Sequence, residues 1–478
     1  MTEAPKNPFL TLGMGALYAR TALPIILLLA VHGLISIADA WFLGRFVGPE
    51  ALAAVTLIFP FFMGVAALST LVSAGMSSVM ARHLGAGAPE KARDLIAGAH
   101  GLSLALCVGL VVLFALIGET AVQMVANGDD DLAALALPYL KITVVTAALA
   151  FLLSLHARAL QNLGRIRFMT MMSLFVSFAN IVFNSVFIVG LGLGVAGAAI
   201  GTAAAQTIGL AIIYVWGLSH STRLRIADAL DGRMFTAWRS IFALGASPSL
   251  GLVSVSIASV SIIAVLQHVA SRDYATTVSA YGIVTRLQIF AFVPLLGLSQ
   301  AMQSITGNNF GAKLHGRVAM SLRFAFCAAF LFGAIVQICL YVFGDQIGFV
   351  FVSDPSVAAE LGAILPLAFL TFFLTGPLIV IGGHFQAIGN ARMSLLLGLS
   401  KPYLFVIPLI FALPLVVGEV GVWLAWAAGD ILLLALLGVI IDWQRLRPSA
   451  HAGRAQAPFG VKGPAASSGV NPTPPRPN

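Results

Sequence analysis

The sequence predicts an all-α integral membrane protein, with twelve transmembrane helices in two pseudo-symmetric six-helix lobes. Three observations predict it. Of 478 residues, 59% are hydrophobic and 9% charged, against about 25% charged in soluble domains, which excludes an ordinary soluble enzyme. The apolar residues fall in runs long enough to cross about 30 Å of hydrocarbon as helices. The two halves of the chain also repeat each other on one register.

The runs lie at 21–44, 52–80, 95–118, 133–157, 168–190, 195–218, 241–267, 275–306, 318–343, 361–385, 393–414 and 418–441. They are continuous blocks, not the roughly ten-residue alternation of membrane barrel strands. The first run exceeds the 7–15-residue core of a signal peptide, so it reads as the first span. The domain plan is an N-lobe over 1–218, a basic linker over 219–240, a C-lobe over 241–441 and a Pro-rich tail over 442–478. Seven of the 22 prolines lie between Pro448 and Pro477, and a polar segment of this kind is expected to be disordered.

The repeat pairs Pro24 with Pro248, Gly87-Ala88 with Gly311-Ala312, Arg93 with Arg317, and Gly194 and Gly197 with Gly418 and Gly421, each 224 residues apart. With one inserted residue, Gln161, Gly164 and Arg167 pair with Gln386, Gly389 and Arg392. Six helices is an even number, so both halves share one orientation. Such a parallel repeat about the membrane normal occurs in secondary transporters, with the substrate site expected between the halves near mid-membrane.

A formal charge of +8 on a soluble domain would suggest nucleic acid. Here the basic residues sort by side instead. With the N-terminus cytoplasmic, 20 of the 26 Lys and Arg fall in cytoplasmic segments, two in external loops (Arg45, Arg272) and four inside helices (Lys141, Arg286, Arg323, Lys401). Both termini are therefore expected in the cytoplasm. Cys107, Cys327 and Cys339 all lie in apolar runs with no CxxC spacing, which speaks against a disulfide framework or zinc site.

An ionisable side chain inside hydrocarbon is costly and needs a reason. Asp39 lies fifteen residues beyond Pro24 and six before Arg45, in the outer half of the first helix. His32, Ser36 and Asp39 follow i, i+4, i+7 spacing and share one face, which should meet protein or a water cavity. Asp39 is either the proton-exchanging carboxylate or a structurally paired one. Asp430 lies mid-way along the twelfth helix, eleven residues from Glu419, and Arg286 inside the eighth; they are expected to form a structural ion pair, against a coupling role for Asp430. Lys141 and Lys401 sit near enough to helix ends to snorkel, and Lys141 facing Asp39 would oppose its protonation. Tyr139 points to the other side of that helix.

Asn180 with Asn184, and Thr202 with Gln206, are one-turn pairs that either join helices by hydrogen bonds or line a pocket. Pro24 is expected to bend the first helix, and His384 to be an interfacial residue at a helix end. No Walker loop, metal cluster or nucleophile constellation is legible. The chain is not expected to be an enzyme, and no cofactor is implied beyond a coupling ion.

Asp39 followed by Gly44-x-x-x-Gly48-Pro49-Glu50-Ala51-Leu52, then Gly85-Ala86-Gly87, Asn180 with Gly194-Val195-Ala196-Gly197, Asn309-Phe310-Gly311-Ala312-Lys313 and Gln386-Ala387-Ile388-Gly389 resemble, in order and spacing, the multidrug and toxic compound extrusion (MATE) transporters. The resemblance covers nearly all of 10–441. It implies a V-shaped, alternating-access exporter of small organic, often cationic or amphiphilic compounds in exchange for H⁺ or Na⁺. It also implies a multi-pass protein of the bacterial inner membrane, working in lipid as a monomer without nucleic acid.

In the DinF-like branch the residue matching Asp39 is the coupling carboxylate, those matching Tyr139, Asn180 and Thr202 surround it, and the proline matching Pro24 bends the helix. The runs 241–267 and 361–385 contain no acid, which favours that branch over the NorM-like one. Many members have Asp where this chain has Asn184, so one acid remains and H⁺ is preferred to Na⁺. A lipid-linked intermediate flippase of the wider superfamily is the alternative, and it requires Lys141, Arg286 and Lys401 to share one cavity.

Overall fold

In the computed structural model the described residues are 7–126, 129–219, 233–270, 274–351 and 355–446. Most of the expected linker (220–232) and the tail beyond 446 lie outside them. Among the described residues every regular element is helical. Lipid offers backbone groups no hydrogen-bond partners, so a spanning segment must satisfy them internally.

The N-lobe comprises α1 (Met14–Phe42), α2 (Phe59–Gly85), α3 (Pro89–Ala126), α4 (Asp130–Asn162), α5 (Ile166–Asn184) and α6 (Gly194–Ser219). The C-lobe comprises α7 (Trp238–Val269), α8 (Tyr274–Gly311) and α9 (His315–Phe351), followed by three less regular spans. The tenth, α10, is broken into Pro355–Ala368 and Phe372–Ala387, bent by 48°. The eleventh, α11, begins as Ala391–Leu399 and passes through a π-turn, Ser400–Val406, before resuming at Ile407. The last, α12, runs Val420–Leu446, five residues past the expected end of the C-lobe.

Two further π-turns follow α1 (Leu43–Val47) and α5 (Ser185–Gly190), and a short helix, Pro49–Leu57, leads into α2. Asp129 and Asn390 cap α4 and α11, accepting from Leu132 N and Met393 N at 2.9 and 3.2 Å; each satisfies a donor the helix start leaves free.

The repeat is visible in the backbone. Gly164 and Gly389 both take left-handed φ (74° and 84°), as do Gly194 and Gly418 (55° and 63°), a conformation glycine adopts without steric cost. The repeated residues Gln161 and Gln386 both sit at the lobe boundary. Gln161 Nε2 donates across it to the Gln300 carbonyl and Ser304 Oγ at 3.1 and 2.9 Å. The Gln386 carbonyl accepts from Ser78.

The lobes are fastened where α1 and α7 begin, here called the linker end. Gly75 and Gly245 bring α2 and α7 together so closely that a Cβ on the first would collide with the Ile241 carbonyl, and one on the second with the Leu71 carbonyl. Gly85 and Gly311 do the same for α2 and α8, against Asn308 and Arg82. Small residues of this kind are how helices approach closely in lipid.

Around them, Arg82 donates to the Ala387 carbonyl at 3.0 Å, Arg317 to the Leu12 carbonyl at 2.7 Å, and Tyr18 to the Ser321 carbonyl at 3.0 Å. Just before α7, the chain packs on α3: Arg233 pairs with Asp94, and Trp238 Nε1 donates to the Gly98 carbonyl at 2.9 Å. His384, expected at a helix end, lies in the last turn of α10 and is 3% exposed.

Candidate functional site

Among the described residues, two polar centres and a cavity inside the helices stand out. The first centre lies in the N-lobe toward the end of α1 far from the linker end. Asp39, half-buried on α1, accepts a hydrogen bond of 2.7 Å from Asn184 Nδ2 at the last residue of α5. One turn earlier Asn180 Nδ2 donates to Thr202 Oγ1 on α6 at 3.0 Å, and that hydroxyl donates to the Ala198 carbonyl.

Gly201 makes this possible, because a Cβ there would overlap Asn184 Oδ1. The π-turns Leu43–Val47 and Ser185–Gly190 follow α1 and α5 directly and touch each other. Such insertions recur beside functional positions because they rotate the residues around them. Tyr139 packs on Phe62 (ring centroids 5.4 Å apart) and on the cluster of Leu43, Ile188 and Ala198 beside the two π-turns. Thus Asp39, Tyr139, Asn180, Asn184 and Thr202 are brought together. The amide oxygens of Asn180 and Asn184 are buried without a hydrogen-bond partner among the described residues.

The second centre corrects an expectation. Asp430, 2% exposed on α12, pairs with Lys401 at 2.5 Å and not with Arg286. Lys401 does not snorkel: it sits in the π-turn of α11, over the Trp426 ring at 5.5 Å. The break in α10 supplies two further donors, Thr371 and Thr375, whose hydroxyls reach Asp430 Oδ2 at 2.9 and 2.8 Å. Arg286 and Lys141 are both exposed.

A half-open cavity of about 300 Å³ lies between α1, α4, α5, α6 and α8. His32, Arg158, Gln161, Gln206 and Gln300 line it beside apolar residues such as Leu28. Asp39 is not on its wall; it lies seven residues beyond His32, about 10 Å along α1. Ser36 is exposed and donates to the His32 carbonyl of its own helix at 3.2 Å. α1 continues as one helix through Pro24.

None of Lys141, Arg286 and Lys401 lines this cavity, so the cations required by the flippase alternative are not gathered there. The cation that does line it, Arg158, sits inside α4, whereas the charge sorting counted it with the cytoplasmic loops. Its i, i+3 spacing to Gln161 was the available signal.

A family model, MatE, matches residues 24–186 and matches again over 250–411. The chain belongs to the MatE family. That the model matches once per lobe agrees with the repeat. An FAD transporter of Shewanella oneidensis is 26% identical to this MatE chain over 385 residues, covering 78% of the chain and 82% of the relative. Multidrug export protein MepA of Staphylococcus aureus strain MRSA252 is 22% identical over 420 residues, 87% of the chain and 90% of the relative.

Among solved structures, an outward-facing multidrug resistance MATE family transporter superposes with TM-score 0.82 at 23% identity, over 93% of this chain and 98% of its own. A MOP superfamily transporter from Pyrococcus furiosus gives 0.81 at 24% identity, with the same coverage. This MatE chain is accordingly a multi-pass membrane transporter of the two-lobe fold, and not an enzyme.

Proposed function

We propose that the chain is a secondary active exporter of small organic, cationic or amphiphilic compounds, of the DinF-like type, exchanging them for H⁺ through Asp39. The observation that carries this reading is the partner of Asp39. It is a carboxylate within a membrane helix whose hydrogen-bond donor is a neutral amide, so its charge remains free to change. Asp430, by contrast, is already matched by an ammonium.

Protonation of Asp39 from one face and substrate binding from the other bias the same equilibrium between lobe arrangements; differential affinity is what drives such a cycle. With the linker end cytoplasmic, as the basic residues argue, the arrangement closed at that end is the outward-open one. The membrane is then the bacterial inner membrane.

The test is proton release on adding ethidium to the purified protein, for wild type and Asp39→Asn. Release from wild type that disappears in the variant supports the reading; release that persists in the variant, or none from wild type, refutes it. With one acid, exchange of a monovalent cation for one proton is electroneutral. A pH gradient should therefore drive ethidium transport, while a membrane potential, worth about 2.3 kcal/mol per charge per 100 mV, should not.

One observation favours Na⁺ as a second reading. The unpartnered oxygens of Asn180 and Asn184 stand beside the Asp39 carboxylate and the Thr202 hydroxyl, and hard cations take sets of oxygen ligands. Dye efflux driven by a Na⁺ gradient at fixed pH would replace H⁺ with Na⁺ in this scheme.

A further inference from the structure

Arg158 is unexplained by the exporter reading. It projects from α4 into the inter-lobe cavity four residues before the helix ends. An arginine so near a helix end ordinarily runs its stem along apolar surface to the headgroups; this one turns inward. Among the described residues it has no hydrogen-bond or ion-pair partner, and no acid lines the cavity. The only other titratable group on the wall is His32. The remaining polar wall is amide and hydroxyl: Gln206 from α6, Gln300 from α8, Ser154 and Ser173.

A guanidinium carries five N–H donors in a planar fork and no acceptor, and that fork matches the paired oxygens of a carboxylate or phosphate. A cavity with a fixed cation, neutral hydrogen-bonding groups and no balancing acid lacks one component. Gln161, three residues beyond Arg158, fixes the floor: its amide is already spent on the Gln300 carbonyl and Ser304 across the lobe boundary. The guanidinium is thus left facing the open volume.

We propose that this cavity is an acid subsite, in which Arg158 receives the carboxylate or phosphate of an amphiphilic or zwitterionic substrate. The proposal rests on the exporter reading and narrows its substrate class. An acidic group lodges at Arg158, and a cationic or aromatic portion of the same molecule extends along α1 toward Asp39. Substrates with such a group are held at two points; simple cations meet only one.

The test uses matched dyes that differ in one group. Rhodamine 19 is the free acid of the ester rhodamine 6G, and riboflavin 5′-phosphate is riboflavin with one phosphate added. Fluorescence polarisation on the purified full chain should show each acid, or at least one of them, binding about tenfold or more tighter than the counterpart that lacks the acidic group, the gain expected of a charge-assisted pair. Which pair shows the preference distinguishes carboxylate from phosphate.

Arg158→Gln should bring the acid down to its counterpart while leaving the counterpart unchanged, and Arg158→Lys should keep part of the preference. A structural arginine would instead lower both dyes together. Equal affinity within both pairs on wild type, which needs no variant to fold, overturns the proposal, as does a preference that survives Arg158→Gln. Proton-driven uptake of rhodamine 6G into proteoliposomes separates the two readings. Uptake without an acid preference removes only the subsite, whereas no uptake removes the exporter reading itself.

Discussion

The two lobes repeat each other in backbone but not in charge. In the N-lobe the buried acid is Asp39 on the first helix, and the position 224 residues later is Ile263. In the C-lobe the most buried acid among the described residues is Asp430 on the last helix, and the position 224 residues earlier is Gln206. Asp39 is half-buried and receives one amide. Asp430 is 2% exposed and receives an ammonium and two hydroxyls. A π-turn stands beside each: Ser185–Gly190 after Asn184, and Ser400–Val406 carrying Lys401. The same local irregularity thus stands beside two different carboxylates, one met by a neutral amide and one paired with a cation. Symmetry of fold places the helices; it does not oblige the two halves to do the same work.

The comparison breaks most visibly at Asp39. Asp39→Asn should abolish coupled dye transport in proteoliposomes while moving thermal stability by no more than about 1 kcal/mol, the worth of one ordinary hydrogen bond. A large loss of stability would place Asp39 with Asp430 as a structural acid.

Lys401→Met should do the reverse. Removing one partner of a buried pair leaves an uncompensated charge and costs about 3–5 kcal/mol, read as a lower melting temperature in detergent; adding Asp430→Asn should recover most of it. If the single variant melts like wild type, the C-lobe pair is not holding the lobe together.

Gly201→Ala tests how tightly the N-lobe centre is built. The new methyl overlaps Asn184 Oδ1, so overpacking of about 1–3 kcal/mol should accompany slower dye transport, because Asn184 is pushed off Asp39. Retained transport at full stability would mean that Asn184 is dispensable. Smallest of all, Arg286→Gln should shift melting by less than about 0.5 kcal/mol, as at other exposed positions; a larger loss would reveal a second fixed charge in the C-lobe.

Much of this was legible. Spans follow from apolar length, and the two-lobe plan follows from the register of Gly164 with Gly389 and Gly194 with Gly418, the pairs that share a positive φ. The grouping of Asp39, Tyr139, Asn180, Asn184 and Thr202 came from family resemblance, and the structure brings these residues together. Contacts that depend on helix rotation were not legible. Helices apolar on all sides carry little record of which face is inward, so Lys401 could not be aimed at Asp430 from spacing alone, nor could the break in α10 that delivers Thr371 and Thr375. Arg158 escaped because it lies at the edge of an apolar run, where a cation reads as part of the loop.

The glycine crossings at the linker end should govern how the lobes part there. Gly75 against the Ile241 carbonyl and Gly245 against that of Leu71 are backbone meeting backbone, with Arg82 and Arg317 bonding to carbonyls across the same boundary beside them. Dispersion at such contacts falls by a quarter to a half over about 0.5–1 Å of separation. A closure of this kind behaves like a magnetic catch: it holds at full strength while shut and lets go within a short travel. The lobes should therefore spend their time fully closed or fully parted at that end, so that a carried molecule meets one open door at a time.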